Sequence, residues 1–183
     1  MGVLPRLLRS RVRRSEHRRR PVHAAKSLVL ALLCAGAALL RAEPLPAAAP
    51  TPLAELRAAG SGSYTWWGFT VYEASLWVAP GFDAADLARQ RYVLELKYAR
   101  AFKGSDIAQR SLDEMRRIGA FSETQAQRWL QAMQRAFPDV RPGDRLLGVH
   151  EPGRGAQFYA NGRLTAEISD ARFAELFFGI WLS

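Results

Sequence analysis

Few side chains in this sequence are equipped for acid–base, nucleophilic or metal chemistry. It has three histidines, His17, His23 and His150, and one cysteine, Cys34. His17, His23 and Cys34 fall in the N-terminal stretch, so a triad or zinc cluster in the remaining chain would rest on His150 alone. Zinc sites draw on three or four His, Cys or carboxylate ligands, and no metal site is expected. His150 before Glu151-Pro152 invites an acid–base role, but one imidazole without a partner at motif spacing reads as structural. Asp113 and Glu114 are adjacent, so on a helix their side chains diverge and cannot act as facing carboxylates. Arg100, Lys103 and Arg110 have the chemistry to pair with a ligand carboxylate or phenolate. Read without a ligand, they are solvated charges at a strand–helix junction. Trp66, Trp67 and Phe69 offer flat apolar faces to a ligand, or simply fill a core.

Charge narrows the classes further. The 183 residues hold 26 Lys+Arg and 17 Asp+Glu, a formal charge of +9. Ten of the basic residues and one acid, Glu16, lie within residues 1–42, which leaves 16 of each sign in 43–183. The mature part is therefore formally neutral, and a broad footprint for nucleic-acid phosphates is not expected. Residues 1–42 have a basic start, a 14-residue apolar run over 27–40 and a small residue at Ala42, the parts of a secretory signal. The run is shorter than the roughly 20 residues that span a bilayer. Cleavage after Ala42 and a periplasmic or secreted location are expected; the alternative is an uncleaved anchor in the inner membrane. Residues 43–52, rich in Pro and Ala, read as a linker, and 53–183 as one domain.

The elements that must position these groups follow from pattern. Residues 63–80 are crowded with aromatic and β-branched side chains and read as one long strand, or two joined at a bend, ending at Pro80-Gly81. Residues 91–99 alternate Val93, Glu95 and Lys97 with Tyr92, Leu94, Leu96 and Tyr98, a half-buried strand. Ser105 is the expected cap of a helix that buries Ile107, Ser111, Met115 and Ile118 and stops at Gly119. Ser122 to Gln125 is a capping box; the helix it starts buries Trp129, Leu130, Met133 and Phe137 and ends at Pro138. Strands follow over 144–150, 157–160 and 163–168, the last two joined by Asn161-Gly162, a strong hairpin signal. Ser169 or Asp170 caps a final helix. Strands and helices come in blocks, which argues for α+β with an antiparallel sheet and helices on one face.

Several segments together resemble the bacterial chalcone isomerase-like family. They are Gly68-Phe69-Thr70-Val71-Tyr72-Glu73-Ala74-Ser75-Leu76-Trp77; Glu114-Met115-Arg116-Arg117 with Gly119; Phe137-Pro138-Asp139-Val140 with Gly143-Asp144-Arg145-Leu146; Phe158-Tyr159 with Asn161-Gly162; and Phe177-Phe178-Gly179-Ile180-Trp181-Leu182. The resemblance implies an open-faced β-sandwich, a large antiparallel sheet packed on a layer of helices with an apolar cleft between. Plant members close a flavanone ring in that cleft, and other members are taken to bind fatty acids there. The plant set comprises an arginine before the aromatic strand, a strand threonine, a helical tyrosine and asparagine, and a threonine on the last helix. Anchored on Val71-Tyr72, the strand threonine falls at Trp67, the helical pair near Lys103 and Arg110, and the last threonine near Leu176. Arg57 is the nearest upstream arginine. None matches, so no catalytic residue is expected.

The expectation is a non-catalytic periplasmic binder of a small apolar or amphipathic ligand, a fatty acid for example, without a cofactor. Trp67, Phe69, Tyr98, Arg100, Lys103, Arg110, Leu176 and Phe177 are its candidate ligand-binding residues. The alternatives are an intramolecular lyase or isomerase acting on an unknown enone with Lys103, Arg110 or Tyr98, and an envelope interaction module using Trp181-Leu182-Ser183. Strand periodicity puts Thr65, Trp67, Phe69 and Val71 on one face. Trp67 is thus expected to point at the helices, touch Leu176–Phe177 and narrow the cleft.

Overall fold

The computed structural model describes residues 52–183. The leader, and all of the linker but Pro52, lie outside the described residues. Six strands form one antiparallel sheet in the order β1-β2-β3-β4-β5-β6. They are β1 (Arg57–Trp66), β2 (Phe69–Val78), β3 (Tyr92–Tyr98), β4 (Arg145–Glu151), β5 (Gly155–Ala160) and β6 (Arg163–Ile168). Helices α1 (Gly104–Ile118) and α2 (Glu123–Ala136) lie between β3 and β4 in sequence, and α3 (Ala171–Leu182) follows β6.

The aromatic stretch is two strands, and the turn between them is Trp67-Gly68. Trp66 pairs with Phe69 across a two-residue connection, and Trp67 (φ 51°) and Gly68 (φ 78°) both have positive φ, as a type I′ hairpin requires. The Asn161-Gly162 turn has the same form, with φ 48° and 82°. β1 also starts earlier than expected, at Arg57, and takes in Gly60-Ser61-Gly62-Ser63.

Period-2 alternation places Tyr72, Leu76, Leu94, Leu96 and Phe158 on the helix-facing side, in one core with Trp129, Met133, Phe173 and Phe178. The other face of β3 is not solvated as its alternation suggests. Val93 is fully buried, and Glu95 is only 4% exposed. Leu53 and Leu56 cover that face, with Trp77 and Tyr159, in a second small cluster on Val93, Leu147 and Val149. Glu95 is held there by Trp77 Nε1 (3.0 Å) and the Arg145 guanidinium.

Helix ends were legible where the cap is local. Ser122 and Gln125 form the reciprocal capping box of α2, and Asp170 caps α3 by accepting from the Phe173 N–H at 3.1 Å. α1 differs: it begins at Gly104, and the acceptor is the distant Asp139, which takes the Gly104 N–H (2.9 Å) and Lys103 Nζ (2.8 Å). Gly104 sits so close to the end of α2 that an added Cβ would lie 1.9 Å from the Phe137 carbonyl oxygen. Glycine is required there.

Candidate functional site

α1 packs on α2 and α3, while α2 and α3 rest on β6 and β5. Between α1 and the sheet lies a cavity of about 1190 Å3. On α1, Ile107, Arg110, Ser111, Glu114, Arg117 and Ile118 all line it; their three- and four-residue spacing makes one helical stripe. The sheet contributes Leu94, Leu96 and Phe158, and α3 contributes Phe177 and Ile180. These walls are apolar, so an apolar occupant would exchange water contact for carbon contact.

One region of the wall is polar. Arg110 pairs with Glu114 at 2.6 Å and Arg117 with the same carboxylate at 2.9 Å. Asp106 on the same helix also lines the cavity, and with Arg100 the charged lining is three guanidiniums against two carboxylates, one positive charge in excess. Tyr72 is close enough to feel both Glu114 and Arg110, and its hydroxyl accepts a hydrogen bond from Trp181 Nε1 at 3.1 Å. Burial pushes the Tyr72 phenol up to about 12, and burial raises Tyr98 as well. Both are neutral phenols at physiological pH. Ser111 is buried and donates to the Ile107 carbonyl at 2.8 Å.

The aromatic hairpin and Arg100 border the same cavity. The Arg100 guanidinium lies 4.8 Å from the centroid of the Phe69 ring, a cation–π arrangement.

Six of the eight candidate residues line this cavity: Trp67, Phe69, Tyr98, Arg100, Arg110 and Phe177. Trp67 does so differently from expectation. It is 83% exposed at the hairpin tip and does not block the cleft. The turn, together with a bulge between Tyr64 and Thr65 in the β1–β2 ladder, breaks the periodicity that placed it toward α3. Lys103 is an exposed partner of Asp139, outside the cavity lining. Leu176 is buried, beside Gly119 at the end of α1. Trp67, in a turn rather than on a strand, does not stand where the resemblance put a strand threonine.

His150 is structural. It stacks on Tyr92 at 4.6 Å, and its Nδ1 lies 2.8 Å from the Gln90 carbonyl oxygen. Trp181, offered above as part of an exposed contact, is buried. Tyr72, Glu114, Arg117 and Trp181 border the cavity but are absent from the sequence candidates. The spacing 107-110-111-114-117-118 was the available signal, hidden because four of its six residues are polar.

Residues 42–183 match the model of the chalcone isomerase-like family, and the chain belongs to that family. An uncharacterised protein of Haemophilus influenzae is 31% identical over 132 residues, which are 72% of this chain and 63% of that protein. The chain thus spans somewhat less than two thirds of its curated relative's length. A crystal structure of a fatty-acid binding protein from Arabidopsis thaliana has a similar fold, with a TM-score of 0.53 at 10% identity, over 69% of this chain and 79% of that one.

Proposed function

We propose that this protein binds one amphipathic molecule with a long apolar chain, a fatty acid being the model case, and does not transform it. The observation that carries this reading is the apolar cavity whose charged lining, Arg100, Arg110 and Arg117 against Asp106 and Glu114, has one positive charge in excess. At about 1190 Å3 it slightly exceeds the ~300–1,000 Å3 of ordinary small-molecule sites, enough for an extended acyl chain. Arg110 and Arg117 suit a carboxylate, which would compete with Glu114 for them. Tyr72, already an acceptor from Trp181, has a hydroxyl proton to offer a ligand oxygen. Neutral phenols at Tyr72 and Tyr98 are poor bases, and Lys103 is engaged by Asp139, which weighs against enone chemistry. The named function of the Arabidopsis protein of similar fold agrees with this reading. The composition of residues 1–42 supports action in the periplasm or outside the cell.

Displacement of a fluorescent fatty acid from the full chain tests the proposal. Palmitate should compete, and Arg110→Ala should weaken binding about tenfold, the loss of one charge-assisted hydrogen bond. Lys103→Ala should leave affinity as it is. No uptake of any fatty acid, or equal effects of the two substitutions, would refute it.

A further inference from the structure

The β1–β2 hairpin is built unlike the other turns. From Ser63 to Tyr72 the sequence SYTWWGFTVY has no charged residue. Other turns of the sheet carry charge, as at Arg141-Pro142-Gly143-Asp144 and Asn161-Gly162-Arg163. Of the five large apolar side chains exposed among the described residues, Trp66 (57%), Trp67 (83%) and Phe69 (59%) sit on this one tip. Ile118, a fourth, lines the same cavity.

Trp67 also occupies a conformation that suits another residue type. With φ at 51° it stands where Asn-Gly turns place asparagine, and bulky residues with positive φ are uncommon. The Asn161-Gly162 turn solves the same backbone problem with the favoured pair. Keeping an indole at 67 sets backbone preference aside and presents an aromatic surface to the outside.

Tryptophan and phenylalanine beside an arginine match the boundary between lipid headgroups and acyl chains. Aromatic rings settle at that depth, and a guanidinium next to them meets phosphate. Arg100 lies over Phe69 and so belongs to the same surface. We infer that this hairpin docks on a phospholipid bilayer, inserting Trp66, Trp67 and Phe69 into the interfacial layer while Arg100 meets headgroup phosphate. Because these residues border the cavity, the docked molecule exchanges its ligand directly with the bilayer. This last link rests on the ligand-binding reading above; docking itself does not.

Fluorescence of the full chain with vesicles of phosphatidylethanolamine and phosphatidylglycerol, with and without brominated acyl chains, tests the inference. Bromine quenches only indoles that reach it, so insertion of the apolar run 27–40 by itself does not mimic the signal. The parent should be quenched, and the pair Trp66→Thr with Trp67→Asn should lose more than half of that quenching. Both replacements suit their backbone sites, so the variant should fold, and its circular dichroism should match the parent. An unquenched parent, or equal quenching in the variant, overturns the inference. Fatty-acid uptake by the parent without vesicles reports separately on the cavity: quenching that follows the hairpin with no uptake upholds docking and removes the ligand reading.

Discussion

Trp67 shows how one residue misleads a periodicity argument. Apart from Gly68, each residue from Thr65 to Val71 is a good strand former, and Trp-Gly is not a familiar turn pair, so the run reads as continuous. The turn displaces every face assignment before Phe69. Positive φ costs an ordinary L-residue roughly 1–2 kcal/mol, which asparagine partly avoids. Trp67→Asn should therefore raise stability by about 1 kcal/mol, a shift of about 3 °C in melting temperature, measurable by calorimetry. Glu95 misled in the opposite direction: an acid on an alternating strand suggests solvent. It is held on the outer face by Trp77 and Arg145, beside the cluster that Leu53 and Leu56 build on Val93, Leu147 and Val149, contacts that strand pattern does not encode. Arg145→Ala strands that carboxylate and should cost about 3 kcal/mol in chemical denaturation. Glu95→Gln keeps an acceptor for Trp77 and should cost less.

Elements were legible where their signals were local. The capping box at Ser122, the Asn161-Gly162 turn and the Asp170 cap each lie within four residues of what they control. The start of α1 was not legible, because Asp139 closes it from beyond α2. Gly104→Ala should accordingly destabilise by about 3 kcal/mol through overpacking against Phe137, whereas Ser105→Ala should stay within about 0.5 kcal/mol; urea midpoints compare the two. Asp170 ties α3 to α2 by accepting from Phe173 N, Trp129 Nε1 and Arg128. Burial pushes its carboxyl up, but these donors outweigh burial and hold it below the ordinary aspartate value. A lowered value means stability is complete above the unfolded pKa, near ~4, and fades as pH falls through the folded one. The stability gap between parent and Asp170→Asn should thus be constant from neutral pH to about 4 and close below it, as unfolding at a series of pH values would reveal.

At the scale of the molecule, the α+β class with helices on one face was readable from the block order of elements. The cavity was not, since it depends on α1 leaning on its fellow helices rather than on the sheet. Filling it is a direct check: Ile107→Trp should abolish fatty-acid uptake while the fold melts as a single cooperative unit. The strand order has a further consequence, for the kinetics of folding. Three of the five seams in the sheet join strands linked by two or three residues and the β2–β3 seam is linked by residues 79–91; the β3–β4 seam alone spans both α1 and α2. Closing that long loop carries the largest entropic cost of the five. The chain thus resolves into two halves that can zip locally, β1-β2-β3 and β4-β5-β6-α3, and must then find each other. The Trp181–Tyr72 hydrogen bond, between residues 109 apart in sequence, forms across that junction, and the cavity takes its walls from both sides of it. The site is completed only when the halves meet, so an occupant acts as a clasp and should slow their separation.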